Sequence, residues 1–174
     1  MSKVLLKKKL ASMPKAEIIG FVVDLYEAKK EAKEYLDYWM NPDEDAKLEE
    51  YMKIIRYEFY PPGNREPKTR FSVCKKAISD YKKLKPSAGA VAELMLCLVE
   101  NACRFTADYG DMWESYYDSV ISNFSALLKH IEKSGLFEVY RARLEQCVET
   151  VCDCGWGLYD DMGDMFYEMV EKYS

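Results

Sequence analysis

The last third of the chain carries clear helix boundaries, and these constrain the fold more than any other feature. Asp111-Met112-Trp113-Glu114 has the form of a capping box at a helix start, and Ser134-Gly135 fits a helix end. Cys154-Gly155-Trp156-Gly157 interrupts the next helical pattern, and Asp160-Asp161-Met162 begins another. The sequence therefore predicts three helices joined by short turns in this region.

Apolar residues keep the same helical spacing through the rest of the chain. Asn41-Pro42-Asp43-Glu44 predicts a helix start in which Asn41 is the N-cap and Pro42 the first helical residue. Ser72 and Pro86-Ser87 predict two further starts. A long helical pattern over residues 12–40 contains the charged segment 27–34, which predicts a bridge or a kink between two helices.

The pattern as a whole predicts an all-α protein. No segment alternates between apolar and polar residues as a half-buried strand does, and no Asn-Gly or Asp-Gly hairpin turn occurs. With a short basic helix over residues 2–10, we expect seven or eight antiparallel helices, packed as an irregular bundle or as stacked helical hairpins in an α-α superhelix. We expect one domain over residues 1–174, with an exposed Pro/Gly loop at about residues 60–70.

Composition favours a cytoplasmic protein. No apolar run reaches the roughly 20 residues of a membrane span, and the start of the chain lacks the apolar run of a signal peptide. Six cysteines in that setting indicate reduced thiols. Residues 1–90 carry 19 Lys and Arg against 14 Asp and Glu, whereas residues 91–174 carry 6 against 16. We interpret this asymmetry as attraction between the two halves, within or between molecules.

The motifs of catalytic and metal sites are missing. Cys147, Cys152 and Cys154 have the wrong spacing for zinc, and His130 is the only histidine. Cys147 lies on an apolar stripe and is expected in the core, whereas Cys154 is expected at a turn. The acidic residues between 153 and 168 lack the ligand order of a calcium loop. We therefore predict no metal, no cofactor and no nameable catalytic residue, and leave open an unrecognised enzyme that uses these acidic residues.

The loop over residues 60–70 offers a second type of site. Arg65, Lys68 and Arg70 lie near aromatic residues, as in proteins that track a nucleic-acid backbone. A pI near 5.1 argues against a dedicated nucleic-acid binder, so a solvated connector is the favoured interpretation. A nucleic-acid-binding accessory protein that uses the basic N-terminal half stays open as an alternative.

Trp156 lies between two glycines, so its backbone can approach another segment closely. We expect its ring to pack between the last two helices, in which case Trp156→Ala would cost roughly 3–5 kcal/mol of stability. If the ring is exposed instead, Trp156 becomes the leading candidate for a binding surface. The candidate interaction residues are therefore Arg65, Lys68, Arg70 and Trp156.

Four short motifs, taken in order, resemble a bacterial family of small helical proteins of unknown function. They are Ser2-Lys3 with Leu6-Lys7-Lys8, Asn41-Pro42-Asp43-Glu44, Tyr109-Gly110-Asp111 and Gly155-Trp156-Gly157. The resemblance spans nearly the whole chain and implies a fold and a compartment but no activity. The many aromatic residues on helices favour a non-catalytic protein-interaction module or a self-associating scaffold. Its partner would be another protein or a second copy of the chain.

Overall fold

A computed structural model describes residues 2–173, and within that range it contains nine α-helices and no strand. The helices are α1 (Lys3–Ala11), α2 (Lys15–Ala28), α3 (Lys30–Met40), α4 (Glu44–Phe59), α5 (Phe71–Lys83), α6 (Ala88–Tyr109), α7 (Glu114–Ser134), α8 (Phe137–Thr150) and α9 (Leu158–Tyr173). The prediction of an all-α protein is confirmed.

The predicted count of seven or eight helices is wrong, because the pattern over residues 12–40 divides into two helices at Lys29. The backbone of Lys29 is extended, with φ −132° and ψ 117°, so it ends α2 and begins α3. The break falls inside the charged segment 27–34, where a bridge or kink is predicted.

Three predicted helix starts are also wrong. Asn41 caps the end of α3, because the following proline disfavours the helical conformation at Asn41. Helix α4 then begins at Glu44. Asp111 does not cap α7, whose N-cap is Trp113, because the Asp111 carboxylate bonds elsewhere. Ser72 lies one residue inside α5.

Two other predicted boundaries are confirmed. Ser87 caps α6 through its hydroxyl oxygen, which accepts a hydrogen bond of 3.1 Å from the amide of Ala90. Gly135 ends α7 in the left-handed conformation, with φ 65°, and the amide of Leu136 reaches back to the carbonyl of Ile131. Both signals are local, so they can be identified from a few neighbouring residues.

The chain divides into two compact units between Asp43 and Glu44. The N-terminal unit contains α1, α2 and α3, and its α2 packs against α3. A hydrogen bond of 2.9 Å from the Tyr26 hydroxyl to Asp37 joins these two helices. The expectation of one domain over residues 1–174 stays a prediction.

The C-terminal unit is built around α6. Of its 22 residues, 13 are buried, and it packs against α4, α5, α7 and α8. This agrees with the broad apolar face in its sequence, since a helix that is apolar on most sides needs several neighbours to cover it.

Helices α4 and α6, which are separated by α5 along the chain, run in the same direction. At their N-terminal ends, the carboxylate of Glu44 accepts hydrogen bonds of 2.6 and 2.7 Å from the amide and hydroxyl of Ser87. At their C-terminal ends, the Tyr60 hydroxyl donates to Asp108 over 2.7 Å. The intervening α5 returns the chain between them and packs on both.

Helix α8 also runs parallel to α6. The Tyr140 hydroxyl, near the start of α8, donates to the carbonyl of Gly89 over 3.1 Å, and Arg143 reaches Glu100 further along both helices. Helices α4, α6 and α8 therefore form one layer. The pairs α4–α5, α6–α7 and α8–α9 are three hairpins packed in sequence, with α9 on α7.

Arg143 joins α8 to two turns of α6. Its guanidinium donates to both carboxylate oxygens of Glu93, at 2.7 and 2.9 Å, and to both of Glu100, at 2.9 and 3.0 Å. Planar guanidinium donors that meet two carboxylates in this way hold both distance and rotation between helices.

We expect Arg143→Ala to lower the free energy of unfolding by about 1–2 kcal/mol, because it removes charge-assisted bonds that are only half exposed. The control is Arg141→Ala, which removes a pair with Glu138 at 3.7 Å and a cation–π contact of 6.0 Å with the Phe137 ring. Both contacts are weak, so this variant should change stability by less than about 1 kcal/mol. Urea denaturation of both variants measures the difference. Equal effects would show that Arg143 does not hold α8 on α6.

Candidate functional site

Three large aromatic side chains are exposed at one end of the C-terminal unit: Tyr109 (61%), Trp113 (58%) and Trp156 (65%). We call these three residues the aromatic surface. Tyr109 ends α6, Trp113 is the N-cap of α7, and Trp156 lies in the turn between α8 and α9. Tyr109 and Trp113 both lie at helix ends, where the chain leaves the core.

A carboxylate holds the two loops of the aromatic surface together. The amide of Gly155 donates to Asp111 Oδ1 over 3.2 Å, and the Tyr117 hydroxyl donates to the same oxygen over 3.2 Å. Tyr117 in turn accepts a hydrogen bond of 2.9 Å from the amide of Met112. The loop between α6 and α7 is thus fixed against the turn after α8.

A buried threonine, Thr106, adds further contacts beneath these hydrogen bonds. The Thr106 hydroxyl donates to the carbonyl of Gly110 over 3.2 Å and lies 3.1 Å from the Tyr117 hydroxyl. The Cys154 thiol lies 3.9 Å from the same threonine oxygen. These contacts connect the loop, the turn and the core helix α6, so the backbone beneath the aromatic surface is rigidly supported.

The predicted packing role of Trp156 is wrong. Its backbone has φ 61°, a left-handed conformation that a bulky residue rarely adopts, and Gly157 follows with φ 71°. The chain therefore turns sharply and leaves the ring exposed. The apolar positions between α8 and α9 are filled instead by Val151 and Leu158, which are both fully buried.

Gly155 lets the backbone approach the Asp111 carboxylate closely. A Cβ at this position would lie 3.3 and 3.4 Å from the carboxylate oxygens, so the carboxylate would have to shift by a few tenths of an ångström. Strained residues such as Trp156 persist where the surrounding structure determines their conformation, and they concentrate at functional sites. The glycine and the carboxylate together provide that constraint.

The segments that carry the aromatic surface are strongly acidic. Residues 105–128 contain four Asp and Glu residues and no Lys or Arg. Residues 144–171 contain eight Asp and Glu residues and again no Lys or Arg. One consequence is visible on a neighbouring phenol, since the Glu149 carboxylate is the largest cause of a raised pKa for Tyr159. The chain segments around the aromatic surface therefore carry a net negative charge, with Asp111, Glu114 and Asp153 each within three positions of an exposed ring.

The exposed rings are backed by buried ones. Tyr109 packs on Phe105 with ring centroids 4.6 Å apart, and Trp113 contacts Tyr116 edge to face at 5.7 Å. Phe105 and Tyr116 are themselves buried in the core. Aromatic pairs in these geometries add stability beyond their buried area, so two of the three exposed rings are held in place.

The basic loop is organised around Glu58. Arg70 donates to its buried carboxylate through Nη2 at 2.6 Å, Nε at 2.9 Å and its amide at 3.1 Å. The amide of Lys68 donates to the carbonyl of Glu58, and the Arg65 guanidinium lies 6.0 Å from the Tyr57 ring. The charge of Arg70 is therefore already paired.

The four candidate residues from the sequence consequently fall into two places. Arg65, Lys68 and Arg70 lie on a loop whose hydrogen bonds lead to Glu58, whereas the turn of Trp156 is bonded to Asp111. The partners of the first place are on α4, and those of the second are in the loop before α7. Their joint use as one surface is a prediction that these contacts do not support.

A groove of about 580 Å³ crosses α6 between α4 and α8. Its arginines are paired with carboxylates: Arg143 as described, Arg56 with Glu49 at 2.8 Å, and Arg104 with Asp108 at 3.4 Å. The positive charges of these arginines are therefore already neutralised by carboxylates. An anion that entered the groove would have to compete with those carboxylates.

The Cys103 thiol beside this groove is a poor nucleophile. A hydrogen bond with Cys147, followed by burial, raises the pKa of Cys103 well above its usual range. Protonated thiols neither attack substrates nor bind metals readily. Cys147 is buried, as predicted. Within residues 2–173, no group of three or more His, Cys, Asp or Glu side chains is placed to hold a metal ion.

We expect Trp156→Gly to leave the free energy of unfolding unchanged or to raise it by up to about 1 kcal/mol. Glycine relieves about 1–2 kcal/mol of left-handed strain and loses part of that gain to its greater freedom when unfolded. Phe137→Ala is the control, since that ring is fully buried and its loss should cost about 3–5 kcal/mol. Thermal melts compare the two. A large loss for Trp156→Gly would show that the ring is a packing anchor.

Glu58 should make the free energy of unfolding depend on pH. The hydrogen bonds from Arg70 lower its pKa below the ordinary 4.5, so its contribution is complete above that pH and is lost as the pH falls through the folded pKa. We expect Glu58→Gln to cost about 1–3 kcal/mol at pH 7, a difference that shrinks below pH 4.5. The exposed Glu50→Gln is the control. A difference independent of pH, measured by urea titration, would contradict this assignment.

Among the described residues, no helix is long and apolar enough to cross a membrane. No curated protein and no solved structure gives a significant match to the chain. A comparison with protein-family models does give one: a family of unknown function, DUF6155, matches residues 1–171. The match covers all nine helices except the last residues of α9, and it agrees with the resemblance seen in the short motifs. The chain therefore belongs to the DUF6155 family of unknown function.

Proposed function

We propose that this protein is a cytoplasmic, non-catalytic interaction module whose aromatic surface binds a positively charged segment of another protein. The observation that carries the proposal is Trp156, a large ring that is 65% exposed on a backbone held in a left-handed conformation. A ring that stabilises nothing by packing, on a strained turn with its own carboxylate anchor, is best explained by a partner.

The chemistry of the surface selects the class of partner. Indole and phenol faces attract Lys and Arg side chains, and the surrounding carboxylates favour the same cations. Trp and Tyr are also the residues that dominate binding energy at protein interfaces. A flat or extended segment rich in Lys or Arg would satisfy both features, whereas an acidic segment or a nucleic-acid phosphate would be repelled.

Rigidity of the backbone supports the same function. The tie through Asp111 orders both loops before any partner arrives, so binding would cost little conformational entropy in this protein. Buried Phe105 and Tyr116 fix the two rings that pack on them. The surface is thus preorganised for a partner.

The test uses a fluorescein-labelled nonalysine peptide and its nonaglutamate counterpart, titrated with the full chain in a fluorescence-anisotropy assay. We expect nonalysine alone to bind, with an affinity that falls as salt is added. Trp113→Ala with Trp156→Ala should weaken binding about tenfold or more, the effect of losing interface hot spots. Trp39→Ala is the matched control, because Trp39 is equally exposed but belongs to α3.

Two results would contradict the proposal. One is equal affinity of the wild type and the Trp113/Trp156 variant for nonalysine. The other is binding of nonaglutamate as tight as that of nonalysine, which would show that neither the rings nor the carboxylates select the ligand.

A further inference from the structure

The N-terminal unit has no core of its own. None of the residues of α1, α2 or α3 is buried, although these helices contain many apolar side chains. Isolated helices of 9, 14 and 11 residues are marginal in water, and units of about 40 residues usually need a further source of stability such as oligomerisation. Their helical state therefore calls for a surface that covers them.

The uncovered side chains are concentrated on this unit. Its three helices supply the following exposed large apolar residues: Val4, Leu5, Leu6, Ile19, Phe21, Val22, Val23, Leu25, Trp39 and Met40. At about 80 Å² each, they present on the order of 800 Å² in total. Ile19 and Val23 point to a different side of α2 from Phe21, so one interface covers part of this total. That part contributes to the roughly 800 Å² that one partner supplies to a standard stable interface.

The charges of the unit are self-complementary. Residues 2–16 carry five lysines and no acidic residue, whereas residues 17–43 carry three lysines and seven Asp and Glu, a net charge of −4. Two copies related by a two-fold axis can place each basic α1 against the acidic hairpin of the other. The unit as a whole is nearly neutral, so long-range repulsion does not oppose its pairing.

We infer that the N-terminal unit is a dimerisation element: α1, α2 and α3 of one chain pair with the same helices of a second copy. Ile18, Val22 and Leu25 are spaced as one face of α2, and this apolar arc supplies the buried contact. The lysines of α1 pair with acidic residues of α2 and α3 from the other chain. This inference is independent of the aromatic surface, which belongs to the C-terminal unit.

Sedimentation velocity of the full chain over 1–100 µM tests the inference, with a second copy giving twice the 20.3 kDa mass. We expect a dimer for the wild type, and a monomer for Val22→Glu with Leu25→Glu. The matched control is Ile54→Glu with Val139→Glu, which places the same charges on exposed apolar positions of α4 and α8 and should stay dimeric.

Helix content provides a second measurement that does not depend on that variant. Circular dichroism should show helix content falling as the wild type is diluted, because α2 and α3 lose their cover when the dimer dissociates. The glutamate variant should show the diluted value at every concentration, and it should still bind nonalysine through the aromatic surface. Dimerisation without nonalysine binding would overturn only the proposed function.

Three outcomes would overturn the inference itself. The first is a wild type that is monomeric across the range with constant helix content. The second is a dimer that Val22→Glu with Leu25→Glu leaves intact. The third is a monomer whose N-terminal unit binds vesicles containing 30% phosphatidylglycerol through Val22 and Leu25, which would assign the apolar arc to a membrane surface.

Discussion

Helix α6 is apolar on most of its surface and must be covered from several directions, and this requirement organises the C-terminal unit. Four helices pack against it, and the charged groups that remain along its length are used to hold α8, through Glu93, Glu100 and Arg143. Polar contacts at both ends hold α4 parallel to α6, and contacts of Tyr140 and Arg143 hold the first half of α8 along it. Burial of the apolar surface of α6 thus determines which helices pack against it. A few hydrogen bonds then hold the orientation of those helices.

The ends of α6 and α8 are where the functional features arise. The core stops at Phe105 and Val151, and the chain then makes two tight turns whose backbone groups need partners. The Asp111 carboxylate accepts a hydrogen bond from one of these groups, the amide of Gly155, and so joins the two turns. The large rings on these turns lie outside a core that is already complete. The N-terminal unit presents the opposite case, in which apolar helices have formed without a core. The aromatic surface and the apolar residues of the N-terminal unit are therefore both exposed because no further core covers them.

Local sequence signals predicted most of the secondary structure, since Ser87 and Gly135 act on neighbours within four residues. The aromatic surface could not be predicted in this way. Asp111 reads as a helix cap, but its partner Gly155 lies 44 residues further along the chain. Trp156 reads as an anchor between two apolar stripes, but buried Leu158 already fills that position. A periodic pattern shows which residues share a face, and it does not show where the last covering helix ends.

Acrylamide quenching of Trp156 fluorescence measures directly whether its ring is exposed. In a full chain with Trp39→Phe and Trp113→Phe, Trp156 is the only tryptophan, and excitation at the red edge of the absorption band excludes the tyrosines. We expect emission close to that of free tryptophan and quenching nearly as efficient as that of a free indole. A blue-shifted emission that acrylamide barely quenches would show that the ring is buried, and the aromatic surface would then lose the residue on which its proposed function depends.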